Sequence, residues 1–146
     1  MKKHLVFAPL LLALSWSVYA EDAEDGIIKY RELVMKSLGA HVGAMGIITQ
    51  GKVTLQGQLA NHARAVAALA GTLPSLFPKG SDFGETDALP AIWEEWETFQ
   101  QAAKTFDDAA LALSQAATGG EINGPFKDLT DSCKGCHKKF RENKDH

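Results

Sequence analysis

The chain has 146 residues, 45% of them hydrophobic, which is enough for one domain with a buried core. The first twenty residues contain two lysines and no acidic residue. The remainder of the chain therefore holds 13 of the 15 basic side chains and all 18 acidic ones, which gives it a net charge of −5. This balance argues against a nucleic-acid-binding protein, which would present a basic face. Both cysteines lie in one short motif, so none remains for a separate structural disulfide.

The start of the chain has the order of a secretory signal peptide. Two lysines precede the apolar residues 5–14, and a small-residue cleavage pattern ends at Ala20. The apolar run is too short to span a membrane. We therefore predict a cleaved signal peptide over residues 1–20 and a mature domain over 21–146, with an uncleaved anchor as the alternative.

The first helix is predicted from about Asp25 to Thr49. Its core-type positions recur every three or four residues, as on the buried stripe of a packed helix: Ile28, Arg31, Met35, Leu38, Val42 and Met45. Arg31 is the one charged member of this stripe. Its guanidinium either reaches out to solvent or faces a buried anion, with which a guanidinium pairs well.

A second helix is predicted from about Thr54 to Gly71. Its stripe has similar spacing and consists of Leu55, Leu59, His62, Val66 and Leu69. We interpret His62, and His41 beside the first stripe, as hydrogen-bonded core residues. The alternative for His62 is a role as a metal ligand.

Residues 71–90 form a long connection, because five glycines and prolines follow Gly71 and exclude a helix interior. Its apolar anchors indicate that it packs over one end of the bundle or over a cofactor. These anchors are Leu73, Leu76, Phe77 and Phe83.

A third helix is predicted from Pro90, a residue suited to the first turn, to about Thr118. Its stripe consists of Ile92, Trp96, Phe99, Ala103, Phe106, Ala110 and Leu113. We interpret the aromatic members as core residues, with contact to a cofactor as the alternative. Gly119 and Gly120 follow as helix breakers.

The last helix is predicted to begin near Asn123, with Asn123 or Gly124 as its cap. Its stripe consists of Phe126, Leu129, Cys133, Cys136 and Phe140. Both cysteines therefore take core positions. The basic residues that follow suit the negative end of the helix dipole.

The motif Cys133-Lys134-Gly135-Cys136-His137 is typical of c-type haem attachment. Two thiols three residues apart on a helix point the same way, so each can add to one vinyl group of the porphyrin, and the following histidine can ligate the iron. The alternatives are a disulfide, half of a zinc site, or a thioredoxin-like redox pair. A zinc site would need a fourth ligand, and a redox pair would follow a strand in a βαβ unit.

A haem on the last helix gives two arginines an interpretation. Arg31 would pair with a haem propionate rather than reach out to solvent. Arg141 lies four residues after His137 and would lie near the proximal imidazole and the haem edge, besides its role at the helix end.

Four helices with two short connections and one long one predict an all-α, antiparallel up-down-up-down four-helix bundle with a covalently attached haem. The chain resembles the cytochromes c′, the four-helix class II c-type cytochromes. The resemblance rests on residues 29–35 of the first helix, the loop at 73–78, the Ile92-Trp93 start of the third helix, and residues 133–141. The common soluble cytochrome fold has its haem motif near the N-terminus instead.

The resemblance implies one haem c per chain, with thioether bonds to Cys133 and Cys136 and with His137 as the axial ligand of a five-coordinate, high-spin iron. It places Arg31 at a propionate, Met35 on the distal face and Arg141 on the proximal side.

The resemblance also implies a periplasmic protein, because covalent haem attachment takes place on the far side of the bacterial inner membrane. It implies a homodimer whose interface is formed by the first two helices. It also implies binding of nitric oxide and carbon monoxide, and a redox partner protein that the sequence does not identify. We predict no nucleic-acid partner, no membrane partner after signal cleavage and no enzymatic activity, since no acid–base pair or nucleophile stands out. The alternative function is a low-spin electron carrier in which Met35 ligates the iron, since Met/His ligation raises the reduction potential.

Overall fold

The computed structural model describes residues 15–119 and 121–143, with side chains from Gly26 onward. Most of the predicted signal peptide lies outside the described residues, so its cleavage stays a prediction. The described chain contains the helices α1 (Ser15–Thr49), α2 (Gln56–Ala70), α3 (Ala91–Glu94), α4 (Trp96–Ala116) and α5 (Asn123–Phe140), and a 3-10 helix at Leu73–Leu76. None of these helices is both long and apolar enough to cross a membrane.

The four long helices form the antiparallel bundle that the sequence predicts. Helix α1 packs against α2, α2 against α4, and α4 against α5. One apolar core runs between them, and burial of such side chains is the main favourable contribution to folding. Its fully or nearly fully buried members include Leu38, Met45, Leu59, Val66, Phe99, Leu113 and Leu129.

The predicted third helix is divided into α3 and α4. The backbone leaves the helical region at Glu95, where φ is −117° and ψ is 47°. The indole N–H of Trp93 donates to the carbonyl oxygen of Pro78 at 2.9 Å, so α3 is fixed to the connection while α4 continues along the bundle. The stripe from Phe99 to Leu113 is buried as predicted, whereas Trp96, next to the break, is half-buried.

Two helix starts and one helix cap differ from the prediction. Helix α1 extends back to Ser15, the first described residue and well before the predicted start, and residues 15–25 contain no glycine or proline that would interrupt it. Leu55 is 55% exposed because α2 begins only after it. Helix α5 begins at Asn123, as predicted, but its cap position is taken by the buried Ile122 rather than by Asn123 or Gly124, and no side chain caps this end.

The connection between α2 and α3 packs over one end of the bundle, as predicted. Its anchors Leu73, Leu76 and Phe77 are buried. The chain turns at Gly80 and Gly84, whose φ angles of 84° and 81° favour glycine. The turn between these glycines buries Ser81 and leaves Phe83, the fourth predicted anchor, 53% exposed.

Candidate haem site

A cavity of about 480 Å³ separates α1 from α5. Unlike the other neighbouring pairs of long helices, these two do not pack along each other. They approach at the far end of the bundle, where a Cβ atom added to Gly46 would lie 3.7 Å from Cζ of Phe126. The bundle is therefore open between residues 31–42 of α1 and residues 132–141 at the end of α5.

The six residues that the sequence nominates for haem binding all line this one cavity. They are Arg31, Met35, Cys133, Cys136, His137 and Arg141. Two come from α1, and the other four come from α5 or directly follow it. The fold thus brings together two groups that lie near opposite ends of the sequence.

Helix α5 places both cysteines and His137 on the cavity wall, because residues three and four apart share one side of a helix. Both thiols are free and half-buried. Before haem attachment, burial raises the pKa of both thiols, to about 11 for Cys136, so the unattached thiols are protonated at neutral pH. Burial, with a smaller effect of the Arg141 charge, lowers the pKa of His137 and favours the neutral imidazole that can ligate a metal.

The walls supplied by α1, α4 and the connection are largely apolar. Met35 and Val42, which the sequence places in the core, are half-buried because they face this cavity, while Val34 and Ile48 take core positions on α1. The other apolar lining residues include Leu38, Leu73, Phe77, Ala88, Phe99, Ala103 and Phe106, with Ile92 from α3, and the charged Glu32, Lys36 and Asp87 also line the cavity. Such a surface suits the hydrophobic face of a porphyrin.

Arg31 is a buried cation at one edge of the cavity. Its side chain is not at the surface, since Arg31 is only 3% exposed. The guanidinium donates to Thr86 Oγ1 at 2.9 Å and to the hydroxyl and carbonyl oxygens of Ser81, each at 3.2 Å. A longer bond of 3.4 Å runs to the carbonyl oxygen of Leu76, and the guanidinium carbon lies 4.7 Å from the ring centroid of Phe77.

These hydrogen bonds all end on neutral oxygens, so the Arg31 charge is solvated by the protein without being neutralised by them. Burial lowers the pKa of Arg31, which reflects the cost of removing its charge from water, and the nearby Glu32 carboxylate opposes this shift only in part. An anion brought into the cavity beside this side chain would offset that cost.

The connection fixes both sides of the opening. Its Ser81 and Thr86 hold Arg31 of α1. Farther along, the Leu89 N–H donates to the Phe140 carbonyl at 3.0 Å, and Ala88 forms an isolated antiparallel bridge with Arg141. The backbone of Arg141 is thus held at the cavity edge although its side chain is exposed.

Sequence reasoning missed the two hydroxyl partners of Arg31. Ser81 and Thr86 lie in a polar part of the connection, and the nearby glycines at 80 and 84 were the available sign that the chain turns there.

The histidines His41 and His62 do not line the cavity. Their Nδ1 atoms lie 2.9 Å apart, which agrees with their interpretation as hydrogen-bonded residues rather than with a distal ligand role for His62.

The residues present fit a covalently held haem. Two free thiols and an imidazole line one wall, the remaining lining is mostly apolar, and a buried guanidinium with neutral partners lies at the edge. A helical bundle with this donor set defines the class of four-helix c-type cytochromes.

Comparison with known proteins agrees with this class. The family model described as Cytochrome C' matches residues 26–141. A cytochrome c' from Rhodospirillum rubrum is 34% identical over 144 residues, covering 95% of this chain and 98% of the relative. A cytochrome c' from Pararhodospirillum photometricum is 37% identical over 122 residues, covering 81% and 98%. The chain belongs to the cytochrome c′ family, and its cofactor is covalently attached haem c.

Solved structures show the same fold. Cytochrome c prime from Shewanella frigidimarina superposes with a TM-score of 0.77 at 31% identity, covering 82% of this chain and 97% of that one. The nitric oxide complex of a mutant cytochrome c prime from Alcaligenes xylosoxidans superposes with a TM-score of 0.76 at 28% identity, covering 83% of this chain and 97% of that one. A cytochrome c' described as having a ligand-controlled dimer dissociation superposes with a TM-score of 0.76 at 26% identity, covering 82% of this chain and 97% of that one.

Proposed function

We propose that this protein is a periplasmic mono-haem cytochrome that binds nitric oxide and carbon monoxide at a five-coordinate, high-spin haem. The observation that carries the proposal is the cavity itself, in which His137 and both thiols lie on one wall and α1 and α4 supply a largely apolar surface elsewhere. A haem iron held by a single protein ligand supplies an open coordination position for a small gas.

In this proposal Cys133 and Cys136 form the thioether bonds and His137 is the axial ligand. Arg31 holds a propionate, since it is a buried cation whose hydrogen bonds reach only neutral oxygens in the described chain. A carboxylate beside it would gain a charge-assisted hydrogen bond. Arg141 lies on the proximal side, where it lines the cavity one turn after His137.

Met35 occupies the distal side. Its neighbours on the α1 part of the cavity wall include Leu38 and Val42. These apolar groups offer no hydrogen bond to a polar ligand, so the site favours small gases that bind without one. The nitric oxide complex known for the related Alcaligenes protein supports this assignment.

The second candidate function is that of a low-spin electron carrier. It is favoured by one observation, the position of Met35 on the cavity wall, because a thioether sulfur can ligate haem iron. The two candidates differ in what Met35 does, and the same experiment separates them.

The test is the absorption spectrum of the haem-loaded protein and of a Met35→Leu variant, recorded oxidised, reduced and with carbon monoxide. We expect a broad, unsplit reduced spectrum that shifts on addition of carbon monoxide. We expect Met35→Leu to keep the spin state, because leucine fills a similar volume and no bond to iron is lost. The carbon monoxide affinity should change by less than about tenfold, as for a volume-conserving substitution.

Met45→Leu is the matched control, since Met45 is a core residue with 0% exposure that does not line the cavity. A sharp, split reduced spectrum in the wild-type protein, unmoved by carbon monoxide and converted to high spin by Met35→Leu alone, would replace the gas-binding proposal with the electron-carrier one.

We also propose export and assembly as a homodimer. The outer face of α1 carries Tyr30, Leu33 and Ile47, which are 56%, 54% and 46% exposed, and apolar exposure of this kind suits an interface between copies. Native mass spectrometry of the exported protein tests both points. The expected mass is that of two chains that begin at Glu21, each with one haem; a monomer, or a chain that retains residues 1–20, contradicts the corresponding point.

A further inference from the structure

A pair of histidines links α1 to α2 away from the haem cavity. Nδ1 of His41 lies 2.9 Å from Nδ1 of His62, and the ring centroids are 5.2 Å apart with the planes tilted by 55°. Both residues are half-buried, so water and small ions can reach them. Neither residue has a place in the haem site, so the pair is available for a separate function.

The chemistry of this contact leaves room for a metal ion. A neutral imidazole has one N–H and one nitrogen lone pair, so one Nδ1 donates to the other in this pair. If the donor ring carries its proton on Nε2 instead, both Nδ1 lone pairs become available. The rearrangement moves one proton within one ring through water, so binding of a cation requires no net loss of protons.

We propose that His41 and His62 chelate one divalent transition-metal ion across α1 and α2, with Cu²⁺ as the preferred ion. In the hydrogen bond the two rings lie end to end, since their centroids are 5.2 Å apart, so both rings must turn for the Nδ1 lone pairs to converge on one ion. With two metal–nitrogen bonds of about 2.05 Å, nitrogens still 2.9 Å apart would then subtend an angle of about 90° at the metal. This is the angle between neighbouring ligands in the tetragonal geometry of Cu²⁺ and Ni²⁺, and a separation of about 3.3 Å would suit tetrahedral Zn²⁺.

The order of affinities favours Cu²⁺, since this ion binds nitrogen ligands more tightly than the other divalent ions of its row. Water completes the coordination, because the site is half-open. The bound ion cross-links two helices of the folded chain and therefore stabilises the native state. This inference is independent of the proposed gas binding, since none of its residues lines the haem cavity.

The experiment is a Cu²⁺ titration of the haem-loaded protein, followed by isothermal calorimetry and by electron paramagnetic resonance with the copper-free spectrum subtracted. We expect one high-affinity ion per chain, hyperfine coupling to two histidine nitrogens, and a higher unfolding temperature with Cu²⁺. His41→Gln and His62→Gln should each weaken binding at least about tenfold and remove one nitrogen coupling.

His146→Gln is the matched control, because it removes a histidine near the chain end, and it should leave Cu²⁺ binding unchanged. An unaltered haem spectrum in each variant shows that the fold and the haem site persist. Affinity that survives either substitution, or that falls only in His146→Gln, overturns the proposal and leaves the pair as an interhelical hydrogen bond. Should a variant fail to fold, the wild-type spectrum decides, since coupling to fewer than two nitrogens overturns the proposal by itself.

Discussion

Without covalent haem, we expect the chain to lose its cooperative native fold. The double variant Cys133→Ser/Cys136→Ser tests this, because serine nearly preserves the side-chain size while removing both attachment points. The cavity between α1 and α5 has a volume of about 480 Å³. At about 24 cal/mol per Å³, a fully enclosed empty space of this size would cost about 12 kcal/mol, which is comparable to the whole stability of a typical domain. The cavity is partly open, so this figure is an upper bound.

The chain will avoid that cost by collapse or by entry of water, and either route disrupts the packing around Phe99 and Phe106. The expected result is retained helical circular dichroism, loss of the near-ultraviolet signal and a broad urea transition, as in a molten globule. The matched control is the unaltered chain produced without haem attachment, which has the same cavity and should behave in the same way. A haem-free double variant that unfolds as cooperatively as the haem-loaded protein, at the same urea concentration, would contradict the prediction.

The helices and the haem motif were predictable because their signals are local. Each stripe of apolar residues recurs within one helix, and the Cys133–His137 motif occupies five consecutive positions. The charged member of the first stripe, Arg31, suggested that this helix faces a cofactor, and the structure places it on the same cavity as the motif. An exception within a regular pattern was thus the most informative residue outside the motif.

The features that the sequence did not predict depend on tertiary structure. The hydrogen bonds of Arg31 to Ser81 and Thr86 join residues 50 and 55 positions apart, and no local pattern indicates such a contact. The break at Glu95 lacks a glycine or proline and is accompanied by the bond from Trp93 to Pro78. The pairing of His41 with His62 likewise depends on how two helices are aligned side by side.

Substitution of Arg31 should have the largest effect on stability of any single change at the cavity edge. Arg31→Leu removes four hydrogen bonds and leaves the buried carbonyl oxygens of Leu76 and Ser81 without this donor. An unsatisfied buried acceptor costs about 1–3 kcal/mol. We therefore expect the haem-loaded protein to lose about 3 kcal/mol of stability in urea unfolding, mostly through loosening of the connection between α2 and α3.

Arg141→Leu is the matched control, because it makes the same change at the other arginine of the cavity. The Arg141 side chain is exposed, so its loss should change stability by less than about 0.5 kcal/mol. Arg31→Lys should fall between the two variants, since an ammonium keeps the charge but cannot reach oxygens on both sides as the planar guanidinium does.

The reduction potential separates the two roles of Arg31. The oxidised haem carries one more positive charge than the reduced haem, so a nearby positive charge disfavours the oxidised state. If Arg31 holds a propionate, Arg31→Leu should therefore lower the reduction potential, while Arg31→Lys, which keeps the charge, should largely preserve it. A role confined to the connection would make stability fall in both variants with the potential unchanged. Equal, small effects of Arg31→Leu and Arg141→Leu on stability would instead show that the buried hydrogen bonds of Arg31 contribute little to closing the cavity.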